Sequence, residues 1–196
     1  QETVMSRTGV DRVLKYAFDL AQTRPRKKLT SATKSNGISI TMPYWDERVA
    51  EMAKQYGDVE VDKFHIDILT AHFVRNPDWF DVVVGSNLFG DILSDLCAGL
   101  IGGLGLAPGA NIGDECAMFE AVHGSAPDIA GQGIANPTSV ILAAALMLDH
   151  IDQPERATQI REAVRAAIAE GDRTTPDLGG EGSTSSFTEA VISRLQ

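Results

Sequence analysis

Two aspartates one helical turn apart, Asp91 and Asp95, are the residues of this 196-residue chain whose types and spacing point most directly to chemistry. A spacing of four residues places both carboxylates on one face of a helix, where like charges repel by roughly a few tenths of a kcal/mol. A hard divalent cation would relieve that repulsion, because Mg²⁺ takes one or two protein carboxylates and completes its octahedron with water and substrate oxygens. The alternative is a solvated acidic helix face, and the spacing alone leaves both possibilities open.

The sequence around these aspartates predicts a buried strand followed by a helix. Residues 82–84 are three consecutive valines, which is typical of a strand buried on both faces. Ser86 and Asn87 are favourable N-cap residues, so we expect a helix to begin there and to run towards the glycines that start at residue 99. Apolar neighbours indicate that the acidic stripe borders a core and does not face open water. These neighbours are Leu88, Phe89, Ile92, Leu93 and Leu96.

A lysine and a third aspartate follow two other predicted strands. Residues 28–33 are predicted to form a short strand that delivers Lys34, and residues 59–66 a second strand that ends at Asp67. Ligands in open α/β sheets bind beyond the carboxyl ends of the strands, so Lys34 lies where chemistry usually takes place. A lone lysine in that position is also common as an ordinary surface residue.

A long polar segment is the second part of the chain with candidate binding residues. Residues 104–113 are predicted to be a turn region, and residues 117–137 are too polar and too rich in Gly and Pro to predict a regular element. Long structured loops inside a compact domain are usually functional. His123, Asp128 and Asn136 could together hold an adenosine through a flat ring, an acidic acceptor and an amide. The alternative is an Ω-loop that packs on its own side chains.

Composition and charge exclude several classes of function. The formal net charge of −10 argues against a nucleic-acid surface, and the basic run at residues 24–28 is predicted to be a solvated loop. Cys97 and Cys116 lack the spacing of a metal site or a disulfide framework and favour a reducing compartment. No apolar run approaches the length that a bilayer requires, so we expect a soluble, cytoplasmic protein without a membrane partner. Helices are predicted at residues 9–21, 43–56, 67–75, 138–150 and 155–170, with a terminal helix from Phe187.

Four motifs closely resemble one known family. They are TKSN at residues 33–36, HID at 65–67, NLFGDILSD at 87–95 and HGSAPDIAGQGIANP at 123–137. The family is that of the β-decarboxylating dehydrogenases, which includes isocitrate, 3-isopropylmalate, homoisocitrate, tartrate and D-malate dehydrogenases. Residues 31–49 are similar to the tartrate and D-malate branch, whereas residues 91–105 are similar to NAD-dependent isocitrate dehydrogenases.

The resemblance implies roles for individual residues. Asp91 and Asp95 match the metal-binding aspartates of the family, and Asp67 matches a third one that the neighbouring subunit supplies to the Mg²⁺ or Mn²⁺ ion. Lys34 matches the catalytic lysine, also lent across the dimer interface, so Lys34 and Asp67 are the expected catalytic residues. The expected NAD-binding residues are Glu120, His123, Gly124, Ser125, Ala126, Asp128, Ile129 and Asn136.

The implied fold is the α/β, two-domain architecture of isocitrate and isopropylmalate dehydrogenases. We expect residues 1–106 to form the smaller, dimerisation domain with the lysine and the metal aspartates. Residues 107–196 would be the C-terminal part of the larger, cofactor-binding domain. The family's substrate-recognition helix, arginine clamp and catalytic tyrosine precede the position that matches Gln1, so the chain alone is expected to be incomplete.

The implied function is the NAD- and metal-dependent oxidative decarboxylation of a 3-substituted malate. The expected partners are a small dicarboxylate or tricarboxylate 2-hydroxy acid and further copies of the chain, in a homodimer or higher oligomer with a shared active site. The alternative is a non-catalytic or regulatory subunit of a hetero-oligomeric NAD-dependent isocitrate dehydrogenase. Retention of Lys34, Asp67, Asp91 and Asp95 favours the enzyme, because a degenerate subunit would be expected to lose some of them.

Overall fold

The computed structural model describes residues 2–195 and divides into two compact units, with the boundary between Cys97 and Ala98. Both units contain helices and strands, so the α/β class is confirmed. The dimerisation and cofactor-binding roles predicted for residues 1–106 and 107–196 stay predictions.

The first unit is built on a parallel sheet of three strands. The central strand β1 (Lys28–Thr33) pairs with β2 (Glu60–His65) on one side and with β3 (Val82–Val84) on the other. Five of the six residues of β1 are buried, because the strand has a neighbour at each edge and helices on its faces. The strands predicted at residues 28–33 and 82–84 are confirmed with the same bounds.

Four helices accompany this sheet: α1 (Arg7–Thr23), α2 (Thr41–Ala53), α3 (Ile66–Arg75) and α4 (Asn87–Leu100). The three helices predicted at residues 9–21, 43–56 and 67–75 are therefore confirmed, with bounds that differ by at most three residues. The apolar side chains of these elements form one core in the first unit. Its fully buried large members are Leu14, Phe18, Leu29, Trp45 and Leu69.

A buried hydrogen bond joins α2 to the central strand. The indole Nε1–H of Trp45 donates to Ser31 Oγ at 3.0 Å, and neither residue is more than 1% exposed. A buried indole N–H normally has a partner, and here the serine hydroxyl supplies it in the middle of a strand. This bond fixes α2 over the carboxyl half of β1.

The second unit contains a β-hairpin and three helices. Strands β4 (Pro108–Ile112) and β5 (Ala117–Ala121) pair in antiparallel fashion, and α5 (Thr138–His150) packs on them. Residues 104–113, predicted to be a turn region, thus contain a strand, and the prediction that residues 117–137 form no regular element is wrong for residues 117–121. Side chains of β5 alternate between half-buried and exposed, which is the period of a strand with one face on a core. Pro108 is tolerated because it is the first residue of its strand.

The last two helices are α6 (Pro154–Glu170) and α7 (Thr184–Ile192). Helix α5 has the predicted bounds, and α6 begins one residue earlier than predicted. Helix α7 begins three residues before Phe187, because Ser183 and Ser186 form a capping box through bonds of 3.1 and 2.8 Å. Serine replaces the usual Glu or Gln at the third helical position of this motif, which hides the helix start in the sequence.

The basic run at residues 24–28 lies largely in a turn, as predicted, but its charges have partners within the first unit. Arg24 pairs with Asp81, Lys27 with Asp58 at 2.8 Å and Lys28 with Asp62 at 3.1 Å. The Arg26 guanidinium donates to the main-chain carbonyls of residues 78–80. In the described part of the chain, no helix is long and apolar enough to cross a membrane.

Replacement of Ser31 by Ala should lower the free energy of unfolding by about 1–3 kcal/mol, because it leaves the buried Trp45 N–H without an acceptor. Urea unfolding followed by circular dichroism measures this change. The matched control is Ser94→Ala, which removes a hydroxyl that bonds to the Asp91 carbonyl on an exposed helix face and should cost no more than about 0.5 kcal/mol. Equal effects of the two substitutions would contradict the assignment.

Candidate active site

Lys34 and Asp67 lie side by side at the carboxyl ends of two neighbouring parallel strands. Lys34 directly follows β1, and Asp67 is the second residue of α3, which begins where β2 ends. Thr33 lies opposite His65 in the sheet, so both segments leave it at the same level. Lys34 Nζ lies 2.9 Å from Asp67 Oδ1. The structure thus brings together the two residues expected to be catalytic.

The ion pair is partly open to solvent, with the Lys34 side chain 28% and the Asp67 side chain 65% exposed. The hydrogen bond from Lys34 lowers the pKa of Asp67 below its ordinary value, and backbone amides at the start of α3 lower it further. A carboxyl group in this position is therefore ionised over a wide pH range. It offers a permanent negative charge beside the lysine.

Asp91 and Asp95 lie on α4, which follows the third strand of the same sheet. Both are exposed, and among residues 2–195 neither carboxylate has an ion pair. On the same helix Phe89 and Leu93 are buried, as expected for an acidic stripe that borders a core, but Leu88 is 61% and Ile92 47% exposed. The prediction that apolar neighbours surround the aspartates with a core is thus correct on one side of the helix and wrong on the other.

The three predicted metal ligands are not brought together within one chain. In the described residues, no group of three or more His, Cys, Asp and Glu side chains is placed to hold an ion. Asp67 is expected to serve the site of a neighbouring subunit, so a single chain does not assemble this set. The assignment of Asp67, Asp91 and Asp95 as metal ligands stays a prediction.

The second unit contains a cavity of about 440 Å³ among the predicted cofactor residues. Its size is within the range of roughly 300–1,000 Å³ that is usual for small-molecule sites. Gly105 forms part of the wall, and a Cβ there would lie 3.0 Å from Asn136 Cβ, so a side chain at this position would crowd Asn136. The predicted residues in its lining are His123, Gly124, Ala126, Ile129 and Asn136, joined by Leu104, Gly105, Ile134, Ala135, Pro176 and Asp177.

Asn136 is the most strongly held polar group of this cavity. It is 8% exposed, its Oδ1 accepts from the Thr138 backbone N–H at 3.0 Å, and its Nδ2 donates to Asp177 Oδ2 at 2.9 Å. Asp177 Oδ1 in turn accepts from the Thr175 hydroxyl at 2.5 Å. These bonds fix the orientation of the amide. No local pattern in the sequence points to Asp177, because its partner lies 41 residues earlier in the chain.

The other predicted cofactor residues lie outside the lining of the cavity. Glu120 accepts a hydrogen bond from Asn111 across the hairpin at 3.1 Å, and the side chains of Ser125 and Asp128 are exposed. Ala126 has φ 43° and ψ 62°, a left-handed conformation that is uncommon for a residue with a side chain. It turns the chain into the short 3₁₀ segment Pro127–Ile129, in which Ile129 lines the cavity and Asp128 does not.

Comparison with known sequences identifies one family. The family model for isocitrate/isopropylmalate dehydrogenase matches residues 2–191. The chain is 54% identical to a decarboxylating D-malate dehydrogenase of Escherichia coli (strain K12), over 97% of this chain and 55% of the relative. It is 52% identical to a tartrate dehydrogenase/decarboxylase of Pseudomonas putida, over 100% of this chain and 56% of that relative.

Comparison of folds gives the same result. A crystal structure of isocitrate dehydrogenase from Methylococcus capsulatus superposes with a TM-score of 0.95 at 49% identity, over 99% of this chain and 58% of that one. The chain thus spans 55–58% of the length of the three proteins named here. The resemblance drawn from the four sequence motifs is confirmed, as is the expected fold, of which this chain forms a part.

Replacement of Lys34 by Met should raise the pKa of Asp67 towards its ordinary value of 3.8, because the hydrogen bond from Lys34 is the largest cause of the lowering. A pH titration of the Asp67 carboxyl carbon by NMR measures the shift. Lys27→Met is the matched control, since Lys27 pairs with Asp58 and should leave Asp67 unchanged. An Asp67 pKa that does not move in the Lys34 variant would show that the pair does not form in solution.

Proposed function

Because the chain belongs to the isocitrate/isopropylmalate dehydrogenase family, we propose that it contributes to the oxidative decarboxylation of a 3-substituted malate, with NAD as oxidant and a divalent cation as cofactor. The relatives are decarboxylating dehydrogenases named for D-malate and tartrate, and the similar crystal structure is that of an isocitrate dehydrogenase. These names support the reaction class. The proposed substrates are accordingly isocitrate, 3-isopropylmalate, tartrate or D-malate.

The ion pair between Lys34 and Asp67 is the observation that carries this proposal. It lies at the carboxyl edge of a parallel sheet, where open α/β folds bind their ligands. In the proposed reaction Lys34 helps to move the proton of the substrate 2-hydroxyl group as that carbon is oxidised. The Asp67 carboxylate holds the lysine nitrogen in place for this step.

The donor set of Asp67, Asp91 and Asp95 fits Mg²⁺ or Mn²⁺, which prefer oxygen ligands. Asp91 and Asp95 are exposed, and within the described residues they have no competing cationic partner, so their oxygens are available. When bound, the cation supplies Lewis acidity at a substrate oxygen that becomes anionic. Asp67 would reach this site from the neighbouring subunit together with Lys34.

The cavity in the second unit supports a dinucleotide as the oxidant. His123 and Ile129 offer a flat ring and an apolar side chain, and the fixed Asn136 amide lies in the same wall. These residues would hold NAD, which would supply the hydride acceptor for the oxidation. Asp128 would accept hydrogen bonds from the adenosine ribose hydroxyls and would repel a 2′-phosphate, and Ile129 after it offers that phosphate no donor. The proposed cofactor is therefore NAD and not NADP.

Exposed apolar side chains on α3 and α4 support a second copy of the chain as partner. Ile68 is 45%, Leu88 61% and Ile92 47% exposed. Ile68 adjoins Asp67 and Ile92 adjoins Asp91, so these apolar residues share their helices with the proposed metal ligands. In a two-fold dimer the same surface patch of each copy contacts its counterpart on the other copy. Such a contact would cover these side chains and would allow each copy to lend Lys34 and Asp67 to the other.

No observation favours the alternative of a non-catalytic or regulatory subunit. The relatives named above are enzymes, and the chain retains all four residues proposed for the lysine and metal roles. The pairing of Lys34 with Asp67 also keeps those two residues in one place. A subunit without turnover would have no need for that arrangement.

A mixing experiment tests the shared site. Lys34→Ala and Asp91→Asn variants of the active protein, each expected to be inactive alone, are unfolded together in equal amounts and refolded. In a mixed dimer one site receives both defects and the other receives neither, so with random pairing about a quarter of all sites should be intact.

Activity near that level, measured as NADH formation, is the expected result. Each variant refolded separately is the control and should stay inactive. Mixed dimers without recovered activity would show that each subunit uses its own lysine. Full activity of either variant alone would overturn the role proposed for that residue.

Cofactor preference tests the role of Asp128. We expect kcat/KM to be higher with NAD than with NADP. Asp128→Ser should reduce the ratio of kcat/KM for NAD to kcat/KM for NADP by about tenfold, because it removes the charge that repels the 2′-phosphate. Asp114→Ser, which alters another exposed carboxylate of the same unit, is the matched control and should leave the ratio unchanged. A wild-type preference for NADP would refute the assignment.

A further inference from the structure

Asp46 connects helix α2 to the segment that carries Lys34. Its side chain is 15% exposed, and its Oδ2 accepts hydrogen bonds from Ser35 Oγ at 2.8 Å and from Lys63 Nζ at 2.9 Å. Ser35 is the residue directly after Lys34. The carboxylate therefore holds the chain one residue beyond the lysine that is proposed to act on the substrate.

The support for Asp46 is itself rigid. Trp45, the preceding residue, is fixed to β1 by the buried bond to Ser31, so α2 cannot slide along the strand without breaking that bond. Lys63 on β2 is paired with Ser31 in the sheet and approaches the carboxylate from the neighbouring strand. Asp46 is thus held by its helix and by the sheet.

The backbone around Lys34 is fixed on both sides. Thr33 is the last residue of β1 and pairs with β2, and the Lys34 carbonyl accepts from the Gly37 and Ile38 amides at 2.9 and 2.8 Å. Among the described residues, two side chains of residues 33–38 bond to α2. The Thr33 hydroxyl contacts the Met42 sulfur at 3.9 Å, whereas Ser35 donates a regular hydrogen bond to an Asp46 oxygen. This hydrogen bond therefore controls how the turn after β1 sits against the helix.

The charge of Asp46 is stabilised where it lies. Burial on its own would raise the pKa of Asp46, but the interactions with Lys63, Thr33 and Ser35 together outweigh it and the pKa lies below its ordinary value. The hydrogen bond of the Thr33 hydroxyl goes to the Met42 sulfur at 3.9 Å. Asp46 Oδ1 has no hydrogen-bond partner among the described residues, so Thr33 does not hold the carboxylate in place. Ser35 and Lys63 hold the carboxylate in place, because both donate short, regular hydrogen bonds to its Oδ2.

We propose that Asp46 is a positioning residue: its hydrogen bond with Ser35 holds the Lys34 segment so that the lysine nitrogen stays at the edge of the sheet beside Asp67. This inference rests on the proposed function, in which Lys34 moves the substrate proton. It assigns to α2 a part in the reaction although no residue of α2 belongs to the predicted site. A displacement of about 1 Å in a reacting group can reduce turnover by about a hundredfold. Loss of this hydrogen bond should therefore lower turnover more than it lowers stability.

Four variants of the active protein separate positioning from a purely structural role. Ser35→Ala and Asp46→Ala remove the hydrogen bond, and Asp46→Asn keeps an oxygen that can accept it but loses the charge that pairs with Lys63. Asp58→Ala is the matched control, because Asp58 also accepts from a lysine and a second side chain, Lys27 at 2.8 Å and Gln22 at 2.9 Å, and neither adjoins Lys34. Each variant is measured for kcat, KM, urea midpoint and hydrogen exchange of the Gly37 and Ile38 amides.

We expect Ser35→Ala and Asp46→Ala to lower kcat by about 10- to 100-fold, with KM changed by less than about threefold and with faster exchange of the two amides. Asp46→Asn should recover most of kcat while its urea midpoint falls as far as that of Asp46→Ala. Asp58→Ala should leave kcat unchanged. If Asp46→Ala does not fold, Ser35→Ala carries the test, because it leaves the ion pair with Lys63 in place.

Two outcomes would overturn the inference. Wild-type kcat in Ser35→Ala and Asp46→Ala would show that the bond does not position Lys34. A loss of kcat that is equal in Asp46→Asn and Asp46→Ala and follows the urea midpoint would show a structural role only. Lys34→Ala, measured in parallel, separates the two proposals: full activity in that variant overturns the proposed function itself, whereas an inactive Lys34→Ala beside a fully active Asp46→Ala overturns only the positioning role.

Discussion

The parallel pairing of β1 with a strand on each side is the constraint on which the first unit depends. Parallel neighbours end at the same edge of a sheet, so the segments that follow them are delivered to one place whatever their distance along the chain. Lys34 and Asp67 meet at this edge although 33 positions separate them, and α4 follows the third strand. An antiparallel partner at either edge would reverse one segment and remove it from the site.

A central strand that is buried on both faces holds its polar side chains away from water. In β1 these groups include the hydroxyls of Thr30, Ser31 and Thr33, none of which is accessible to solvent. A buried polar group without a partner is destabilising. Among the described residues the hydroxyls of Ser31 and Thr33 have partners, whereas that of Thr30 has none. Trp45 supplies the partner of Ser31 and thereby fixes α2. Because the hydrogen bond between Trp45 and Ser31 is directional, it allows α2 one position on the strand, whereas an entirely apolar contact would allow several.

The features that the sequence predicted well are those that depend on local pattern. Consecutive valines at residues 82–84 and the apolar run of α5 predict their elements with the correct bounds. The hairpin at residues 108–121 was missed because its alternation is short and lies among Gly and Pro residues. Glu120, Ser125 and Asp128 follow the family motif, yet they lie outside the cavity lining, because a motif identifies residue types and not the direction of each side chain.

The contacts that fix the candidate site could not be predicted, because they join residues far apart in sequence. Asp177 orients Asn136 from 41 residues away, and Asp46 holds Ser35 from a separate helix. Their residue types are ordinary, and only the folded chain shows which of many aspartates has such a partner. The lysine and the three aspartates were recognisable because the family motifs keep them in short, unusual strings of residues.

The boundary between residues 97 and 98 separates the two sets of residues on which the proposed function rests. Lys34, Asp67, Asp91 and Asp95 all precede it, whereas every residue that lines the cavity follows it. Under the proposed function, the residues for proton and metal chemistry and those for the oxidant therefore occupy separate parts of the sequence.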